Sequence, residues 1–484
     1  MKIRLIEPAP PGINILSYGF YPRLGLPLIG AALKAAGHDV RIYAPQAAPI
    51  DRADVASADL VGISTTTSTA PAAYALADGL RAAGLTVVIG GPHPSFVPDD
   101  VMPHADYVAR GEGGDGLMLE LLEALRGERE FESIRGLSFW RDGLPVHNEL
   151  RERCADLDTL PMPDLSLIVG SEKIHETPIM TSLGCPFDCT FCTVTMMFGR
   201  KYRMRSPESV IAELEAKKPK AVFFYDDNFA ADKRRLKRLL QMMIDRGITP
   251  KWQAQVRTDV ARDEELLTLM QRSGCHRVEL GFESVDQATL DSYDKAQTVE
   301  DIIKAIAALH RHGIKCHGMF VVGADSDSIQ TARDTVAFAE RYKIDSLMLN
   351  VLTPGIGTKQ YEMMNGDERV FERRWQFYDG QHVIFTPQRM TALELQTSVV
   401  EGYLRFYSVR RVLNHLVHLR FSNALEHGWG WLFIHRWLRD PQNRVYIEEL
   451  GRRPARQAPA GPPTAERAEP AERAEPARAG AAGR

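Results

Sequence analysis

Strand-like and helix-like segments alternate along most of this chain, and this alternation constrains the fold more than any other feature of the sequence. From Thr177 onward, six short apolar runs alternate with longer segments of helical periodicity. Successive units of this size predict a complete or partial (β/α) barrel, here with six strands. Helices are expected over residues 207–217, 232–246, 263–273, 299–312 and 328–342.

Polar side chains follow the predicted barrel strands at the points where the strands end. In (β/α) barrels, the groups that carry out chemistry lie at the carboxyl ends of the strands. Three cysteines in the stretch CPFDCTFC follow the first strand, so all of these side chains are expected around one mouth. The polar residues after the later strands are Asp226, Asp227, Asn228, Arg257, Glu283, Ser284 and Asp325.

The first 130 or so residues alternate in the same way, beginning with the strand-like stretch KIRLIEP. Strands and helices joined by short connections predict a parallel, doubly wound α/β sheet. Ligands of such sheets bind outside the carboxyl ends of the strands. Three loops rich in small and polar residues are expected there, namely STTTST at 64–69, GGPHPS at 90–95 and GEGGDG at 111–116.

The stretch GEGGDG matches the pattern GxGxxG of dinucleotide-binding domains, but it stands at the wrong place in the sheet. In those domains the glycines follow the first strand, and an acidic residue follows about 20 positions later. Here the pattern comes late and leads to SIRGLSFW without such a carboxylate. We therefore do not expect NAD or FAD to bind, and the alternative is that these glycines only permit tight turns.

Changes of composition mark the remaining boundaries. Residues 136–175 contain a hairpin signal at Asp142 and Gly143 and then several prolines, which indicates a connector. Residues 391–450 are mostly helical and rich in aromatic and basic side chains. They are either a cap packed on the barrel or a lid that contacts a substrate or a membrane surface. The C-terminal segment repeats AERAEP and is expected to be disordered. The predicted units are 1–135, 136–175, 176–390, 391–450 and 451–484.

The composition is that of an ordinary soluble protein. The formal net charge of -4 argues against a nucleic-acid partner, and the start MKIRLIEPAP has no signal-peptide pattern. No apolar stretch approaches the roughly 18 residues that a membrane span requires. The sequence therefore predicts a cytoplasmic protein, in which clustered cysteines remain reduced and bind metal or take part in chemistry.

Cys185, Cys189 and Cys192 lie within eight residues, and no second cysteine pair accompanies them. Soft thiolates at such spacing favour zinc or an iron–sulfur cluster. A structural zinc ion needs four protein ligands, and His175 could supply the fourth. A cluster with three protein-bound irons and one open iron fits three cysteines better. The open iron could bind and activate a small molecule.

The stretch CPFDCTFC resembles the CxxxCxxC signature of the radical S-adenosylmethionine (SAM) superfamily. The chain is similar to its cobalamin-binding enzymes over most of its length, to about Tyr403, through LVGIS, GGPHPSF, GEGG, FYDDNF, GFES and FVVGADSDS. The resemblance implies a Rossmann-like cobalamin-binding domain, then a partial (β/α)6 TIM-like radical SAM barrel and a C-terminal helical region.

The resemblance also implies cofactors and residue roles. Cys185, Cys189 and Cys192 would hold a 4Fe-4S cluster whose fourth iron binds SAM. An electron from the cluster would cleave SAM to a 5'-deoxyadenosyl radical, which abstracts a hydrogen atom from the substrate. The alternative for the carboxylates is salt bridging at the mouth with Arg257 or Lys201. In the roles implied, Phe191 lies near the adenine, Asp226 and Asp227 near the methionyl amine and Glu283 near the ribose, with Ser284 and Arg257 as further cofactor contacts.

Many cobalamin proteins carry the motif DxHxxG after the first strand, and its histidine coordinates cobalt. The corresponding loop here, PAPPGINILSYG, contains no histidine, so cobalamin is expected to lack a histidine ligand from this loop. His93 is a poor substitute because a proline on either side constrains it. The family's usual GEGE appears here as GEGG. The residues expected along the cobalamin are Ser64, Thr65, Thr66, Gly90, Gly91, Gly111 and Gly113.

The resemblance favours radical methylation of an unactivated carbon in a biosynthetic substrate, with two SAM molecules consumed per turnover. The alternative is an oxidative cyclization or rearrangement of the anaerobic magnesium-protoporphyrin ester cyclase type. A non-enzymatic electron carrier or cobalamin sensor is the third possibility. The partners implied are a small-molecule substrate and a one-electron reductant such as flavodoxin or ferredoxin. No side chain is assigned a catalytic role from the sequence.

Overall fold

The structure, a computed structural model, describes residues 1–10, 12–13 and 21–453. Its N-terminal part contains a seven-stranded sheet flanked by helices. The strands are β1 (Lys2–Ile6), β2 (Asp39–Tyr43), β3 (Leu60–Ser64), β4 (Val87–Gly90), β5 (Tyr107–Ala109), β6 (Leu137–Arg141) and β7 (Leu144–His147). The helices are α1 (Gly25–Ala35), α2 (Arg52–Ala56), α3 (Ala70–Ala82), α4 (Pro92–Phe96), α5 (Pro98–Val101) and α6 (Gly114–Leu125).

The strand order is β2-β1-β3-β4-β5-β6-β7, and the first five of these strands run parallel. Residues of β3 such as Leu60 and Val61 are completely buried because helices cover both faces of the sheet. One apolar cluster forms on the face that α1 and α6 cover, and a second forms on the face that α3 covers. The predicted doubly wound sheet is confirmed.

The predicted hairpin at Asp142 and Gly143 forms, with both residues at positive φ (52° and 77°), as tight two-residue hairpin turns require. Its two strands, β6 and β7, are antiparallel and extend the N-terminal sheet at the β5 edge. The hairpin was expected in the connector 136–175, so this assignment was wrong: the ladder with β5 makes the hairpin part of the sheet. The other domain limits stay predictions.

The second half of the chain forms a six-stranded sheet and a small two-stranded one. The strands are β8 (Thr177–Ile179), β9 (Ser182–Leu183), β10 (Arg203–Met204), β11 (Ala221–Phe224), β12 (Lys251–Val256), β13 (Cys275–Glu283), β14 (Lys315–Val322) and β15 (Ser346–Val351). The helices are α7 (Val194–Phe198), α8 (Pro207–Lys217), α9 (Lys233–Asp245), α10 (Glu264–Arg272), α11 (Gln287–Ser292), α12 (Val299–Arg311), α13 (Thr331–Arg341) and α14 (Lys359–Gly366).

The order β15-β14-β13-β12-β11-β8 is parallel throughout, and each strand lies beside the next in the chain. This is the predicted partial barrel of six strands. Capping side chains fix where its helices begin. Ser206 accepts a hydrogen bond from the Ser209 amide at α8, and Asp263 accepts one from the Leu266 amide at α10. The large apolar core lies between the strands and these helices. It includes Cys275 and Cys316, as expected.

Four helices follow the barrel, namely α15 (Ala392–Phe406), α16 (Val409–Val417), α17 (Phe421–Arg439) and α18 (Pro441–Arg452). The antiparallel pair α16 and α17 lies at the amino end of the barrel strands. There, Arg277 forms an ion pair with Glu426 at 2.6 Å and Lys315 donates to Asn423 at 2.8 Å. The expectation of a lid over the mouth is therefore wrong for this pair, because the mouth lies at the opposite end.

No helix in the described part of the chain is long and apolar enough to cross a membrane. The predicted disordered segment 451–484 lies outside the described residues from residue 454 onward.

Candidate active site

The three cysteines lie in the loop between β9 and α7, at the carboxyl end of the barrel sheet. The loop turns sharply at Gly184, where φ is +84° and a Cβ atom would lie 2.8 Å from the Lys201 carbonyl oxygen. Only glycine accommodates both this backbone conformation and this close approach. The side chains of Cys185, Cys189 and Cys192 are half-buried and form no disulfide. The fold thus brings three free thiols into one short loop at the mouth.

The three thiols interact electrostatically with one another. Burial, together with the neighbouring Cys189 and Cys185, raises the pKa of Cys192 to about 12. Burial also raises the pKa of Cys185, with an opposing effect from Arg257. Without a metal the Cys185 and Cys192 thiols are protonated, and binding of iron would release their protons.

The donor set fits a cluster better than a single ion. Among the described residues, no three His, Cys, Asp or Glu side chains converge closely enough to hold one metal ion. In a 4Fe-4S cluster each cysteine binds a different iron, so its ligands lie farther apart than those of one ion. The zinc alternative with His175 therefore finds no support in this geometry. Three free thiols in one loop match the number of protein ligands of a cluster with one iron left open.

Asp226 and Asp227 are neighbours in sequence but have different surroundings. Asp226 is 3% exposed, and its carboxylate accepts hydrogen bonds from the backbone amides and hydroxyls of Thr181 and Ser182 at 2.5–3.2 Å. These contacts tie the end of β11 to the segment before the cysteine loop. Asp226 is therefore a positioning residue, and the expectation that it contacts the methionyl amine is not met, because four donors occupy its oxygens.

Asp227 instead remains partly exposed beside the thiols. It raises the pKa of both Cys185 and Cys192 through its negative charge. Burial, and then the charge of Asp226, raise its own pKa to about 6. A cationic group placed near Asp227 would relieve this unfavourable negative charge, so it is suited to bind an amine.

Arg257 and Glu283 lie on the next two strand ends. The Arg257 guanidinium stacks on the ring of Phe187, with 3.7 Å between the guanidinium carbon and the ring centroid, and donates to the Lys295 carbonyl. Lys295 in turn forms a buried ion pair with Glu283 at 2.6 Å. Glu283 has φ +63°, which is strained for a side chain of this type and is typical of functional sites. Glu283 therefore forms a salt bridge, which was the alternative for the carboxylates, but its partner is Lys295 and not Arg257 or Lys201.

The remaining predicted mouth residues have defined partners. The ring of Phe191 packs edge-on against Tyr293 at 4.9 Å between centroids. The Ser284 hydroxyl accepts from the Asp286 amide at 3.1 Å. Asp325 forms an ion pair with Arg369 at 2.6 Å. Of these, only Phe191 lies in the cysteine loop itself.

The carboxyl edge of the N-terminal sheet is a compact cradle of small residues. Thr65 is fully buried, and its hydroxyl lies 2.8 Å from that of Thr69, which also bonds the Thr66 amide. Gly91 has φ +111°, and a Cβ atom there would lie 2.6 Å from the Thr65 carbonyl oxygen. A Cβ atom on Gly90 would lie 3.3 Å from the Cβ atom of Ala109. The predicted residues Ser64, Thr65, Thr66, Gly90 and Gly91 thus lie together.

His93 follows β4 on this edge, but its side chain is buried. It is completely buried in α4, and its Nε2 atom lies 2.8 Å from the Tyr74 hydroxyl. Burial lowers the pKa of His93 to about 4, so the imidazole is neutral. His93 thus lies in a short helix with its side chain hydrogen-bonded, and the absence of a histidine ligand to cobalt stays a prediction.

Gly111 and Gly113 frame Glu112, which connects the two sheets. Both glycines have positive φ, and Gly113 caps α6. The Glu112 carboxylate binds the Arg203 guanidinium at 2.5 and 2.8 Å, and Arg203 is almost completely buried. The glycines therefore hold a turn that directs Glu112 toward the barrel.

The carboxyl edges of the two sheets face each other. The Trp375 indole donates to Asp100 at 2.8 Å and packs against His93 at 5.3 Å. A Cβ atom on Gly357, after β15, would lie 3.0 Å from the ring of Phe96. Together with the Glu112–Arg203 pair, these contacts bring the glycine cradle opposite the cysteine loop.

Comparison with known families agrees with this arrangement. Residues 12–119 match the B12 binding domain, and residues 179–339 match the radical SAM superfamily. The chain belongs to the cobalamin-binding radical SAM enzymes. Solved structures of two such enzymes share its fold. TsrM from Kitasatospora setae, with cobalamin and a 4Fe-4S cluster bound, has a TM-score of 0.64 at 17% identity and covers 76% of this chain and 75% of its own. OxsB with aqua-cobalamin has a TM-score of 0.68 at 16% identity and covers 93% and 75%.

Relatives by sequence include proteins named as methyltransferases and as cyclases. An uncharacterized methyltransferase of Pyrococcus horikoshii is 29% identical over 85% of this chain and 94% of its own length. Bacteriochlorophyllide d C-12(1)-methyltransferase of Chlorobaculum tepidum is 28% identical over 72% and 76%. An anaerobic magnesium-protoporphyrin IX monomethyl ester cyclase of Cereibacter sphaeroides is 29% identical over 73% of this chain but only 61% of the cyclase.

Sequence reasoning missed two features of this radical SAM enzyme. One is the Glu112–Arg203 pair between the domains. The charged glutamate between two glycines at a strand end was a usable signal, but its partner lies 91 residues away. The other is Glu279, on the inner face of β13 between Gln255 and His317 of the neighbouring strands. Burial raises the pKa of Glu279 to about 7. The alternation of β13 could have indicated this inward carboxylate.

A large cavity in the described residues does not belong to this site. It has a volume of about 590 Å³ and lies at the amino end of β14 and β15. Lys315, Asp345, Arg411 and His415 are among the residues that line it. It is therefore at the opposite end of the radical SAM barrel from the cysteines.

Proposed function

We propose that this enzyme methylates an unactivated carbon of a small biosynthetic substrate in a cobalamin-dependent radical reaction. The observation that carries this proposal is the opposition of the two carboxyl edges, one with the three thiols and one with the glycine cradle. A substrate bound between them would be accessible to both cofactors. When bound, the cluster would supply the electron that cleaves SAM, and cobalamin would supply the methyl group.

Each part of the mouth has a role in this proposal. Cys185, Cys189 and Cys192 bind the cluster, and Asp227 accepts the amino group of SAM. Phe191 packs near the adenine. Arg257 and Glu283 line the same side, where Glu283 reaches the ribose only if its pairing with Lys295 changes. The support for these roles is the grouping of these side chains around one mouth.

The cradle of the N-terminal sheet suits a large neutral ligand. Its loops expose small side chains and backbone, and the hydroxyls of Thr65 and Thr69 bond each other. We propose that cobalamin binds along Ser64–Thr66 and Gly90–Gly91, with Gly111 and Gly113 at the margin. Cobalt would receive no histidine from this edge, since His93 is buried and hydrogen-bonded. The loop before residue 21 is largely outside the described residues.

The proposal includes an external one-electron reductant, because radical formation and reuse of cobalamin both consume electrons. A flavodoxin or ferredoxin would serve. The cytoplasm is the proposed location, because the three thiols must stay reduced to bind iron.

Oxidative cyclization is the second candidate, and the similarity to the Cereibacter sphaeroides cyclase favours it. Methylation has better support. The relative from Pyrococcus horikoshii, named as a methyltransferase, aligns over 94% of its length, whereas the cyclase aligns over 61%.

The stoichiometry of the products distinguishes methylation from cyclization. The anaerobically reconstituted enzyme is incubated with SAM, reductant, hydroxocobalamin and candidate substrates from neighbouring biosynthetic genes. Methylation produces 5'-deoxyadenosine and S-adenosylhomocysteine in about equal amounts, and a trideuteromethyl group from labelled SAM enters the product. Cyclization produces 5'-deoxyadenosine but no S-adenosylhomocysteine. A substrate mass change without the label would reject methylation.

A further inference from the structure

The helix pair α16 and α17 carries an exposed apolar surface. At the turn between the two helices, which we name the hairpin tip, Val417, Leu419 and Phe421 are 78%, 74% and 64% exposed. Of the eighteen large hydrophobic residues exposed in the described chain, eight lie between residues 409 and 429. Scattered apolar side chains are normal on a protein surface, but a cluster of this kind marks an interaction site.

The apolar surface continues from the tip along both helices. A groove of about 600 Å³ runs between them, and its lining includes Val412, Leu416, Leu425 and Trp429. The groove lies away from the barrel, because Glu426 and Asn423 point the other way, to Arg277 and Lys315. The hairpin is thus amphipathic: one face docks on the barrel, and the other exposes hydrocarbon.

The charges around this surface are of one sign. Arg410 and Arg420 are exposed and take part in no ion pair within the described part of the chain, and Arg420 borders the cavity at the amino end of β14 and β15. Between residues 409 and 435 the only carboxylate is Glu426. It is bound to Arg277 on the barrel face. The hairpin therefore combines exposed apolar side chains with exposed cations and offers no free carboxylate of its own.

We propose that the α16–α17 hairpin attaches this enzyme to the surface of an anionic lipid bilayer. The tip inserts Val417, Leu419 and Phe421 at the boundary of headgroups and acyl chains, and Arg410 and Arg420 contact lipid phosphates. Trp429 is suited to the headgroup level because its ring is apolar and its N–H is polar. The hairpin lies on the membrane rather than crossing it, since no described helix can span a bilayer.

A second copy of the chain fits this surface less well. In a two-fold dimer the same patch meets itself, so Arg410 and Arg420 would face arginines of the other copy. Without a carboxylate on the outer face, nothing balances these charges. An anionic lipid surface supplies the missing negative charge.

The hairpin lies at the amino end of the barrel strands, whereas the cysteines lie at the carboxyl end. Attachment therefore leaves the mouth and the glycine cradle free, and it does not depend on the proposed methyl transfer. Cluster content and SAM cleavage test that function independently of lipid binding.

Co-sedimentation of the full-length, cluster-loaded enzyme with vesicles tests the proposal. Vesicles of phosphatidylcholine are compared with vesicles that contain roughly one third phosphatidylglycerol. We expect binding to the anionic vesicles to be about tenfold stronger or more, and to weaken as salt is added. Absence of binding, or equal binding to both vesicle types, overturns the proposal.

Two variants locate the surface. In Leu419→Asp combined with Phe421→Asp, we expect at least a tenfold loss of vesicle binding with unchanged SAM cleavage. Leu419 has φ +55°, a conformation that Asp tolerates better than Leu, so the fold should survive. Leu144→Asp is the matched control, since Leu144 is 69% exposed on β7, and it should bind vesicles like the wild type.

The double charge variant Arg410→Glu with Arg420→Glu should lose the preference for anionic vesicles. Analytical ultracentrifugation without lipid provides the remaining outcome. A dimer that the Leu419→Asp and Phe421→Asp changes dissociate would assign the tip to a second copy and overturn the bilayer proposal. A monomer that binds anionic vesicles supports it.

Discussion

The carboxyl edges of the two parallel sheets differ in chemistry although their architecture is similar. On the N-terminal sheet, the hydroxyls of Thr65 and Thr69 are hydrogen-bonded to each other, and Gly91 packs closely against Thr65. The surface of this edge is therefore neutral and rigid. On the barrel sheet, the same kind of edge carries three thiols and the partly exposed Asp227.

This difference indicates two modes of recognition. A neutral cradle selects its ligand by shape, and a single Cβ atom at a close approach can disturb it. An edge with free thiols and a carboxylate binds its cofactors through metal coordination and charge. Loss of one donor should therefore abolish cofactor binding. Changes on the two edges should therefore have different effects, and the four predictions below begin with the largest.

Loss of one thiol should abolish function at the barrel edge. We expect Cys185→Ala, Cys189→Ala and Cys192→Ala each to lose the cluster and all SAM cleavage, because three ligands are the minimum for a site with one open iron. Iron analysis and deoxyadenosine formation after anaerobic reconstitution measure this. Cys154→Ala is the control and should retain both, since the Cys154 thiol contacts the Asp156 carbonyl outside the loop. Zinc in place of iron, or cleavage by Cys189→Ala, would contradict the assignment.

Substitution of the two neighbouring aspartates should affect different properties, namely stability for Asp226 and SAM binding for Asp227. Asp226→Asn places an amide against buried donors from Thr181 and Ser182, so we expect a loss of about 2–4 kcal/mol in the free energy of unfolding of the metal-free protein in urea. Asp227→Asn should not lower that free energy, because the variant removes a negative charge that burial and Asp226 disfavour. It should weaken SAM binding by about tenfold, equivalent to about 1.4 kcal/mol. If both variants destabilise the protein equally, Asp227 is also structural.

A methyl group should disturb the cobalamin edge without any change of charge. Gly91→Ala places a Cβ atom 2.6 Å from the Thr65 carbonyl oxygen, so the cradle must shift. We expect cobalamin retention in equilibrium dialysis to fall by about tenfold, or about 1.4 kcal/mol. Gly84→Ala is the matched control, because Gly84 also has a positive φ of +84° but no atom within 4 Å of a Cβ. Similar losses in both variants would attribute the effect to backbone strain alone.

The smallest effect concerns Glu279, inside the barrel between the two ends of the strands. Burial raises the pKa of Glu279 to about 7, so the folded state binds its proton more tightly than the unfolded state does. Its contribution to stability is complete below the unfolded pKa of about 4.3 and is lost as the pH rises through about 7. Between about pH 5.5 and about pH 8 we expect the free energy of unfolding to fall by on the order of 1 kcal/mol.

Urea unfolding of the metal-free protein at both pH values measures this change. Glu279→Gln should remove that part of the pH dependence. An unchanged pH profile in the variant would mean that other groups cause it.

Much of the fold could be predicted because its signals are local. The helix predicted over 207–217 matches α8 (Pro207–Lys217), where Ser206 and Pro207 mark the start in the sequence itself. The six barrel strands were identified from apolar runs, since both faces of a parallel sheet are covered. The β6–β7 hairpin was also recognised by its turn, but its membership of the N-terminal sheet was not. That assignment depends on pairing with β5, which is a contact between segments far apart in the chain.

The alternation of strands and helices, the doubly wound and barrel sheets, and the grouping of three cysteines in one loop could all be predicted from the sequence. These features follow from periodicity and from spacing along a few residues. Only the tertiary structure decided which groups are free to act. It buried Asp226 against Thr181 and Ser182 and left Asp227 at the mouth. It also paired Glu112 with Arg203 and placed the α16–α17 hairpin at the amino end of the barrel. The physical reason is that burial and pairing depend on partners many residues away, which no local pattern specifies.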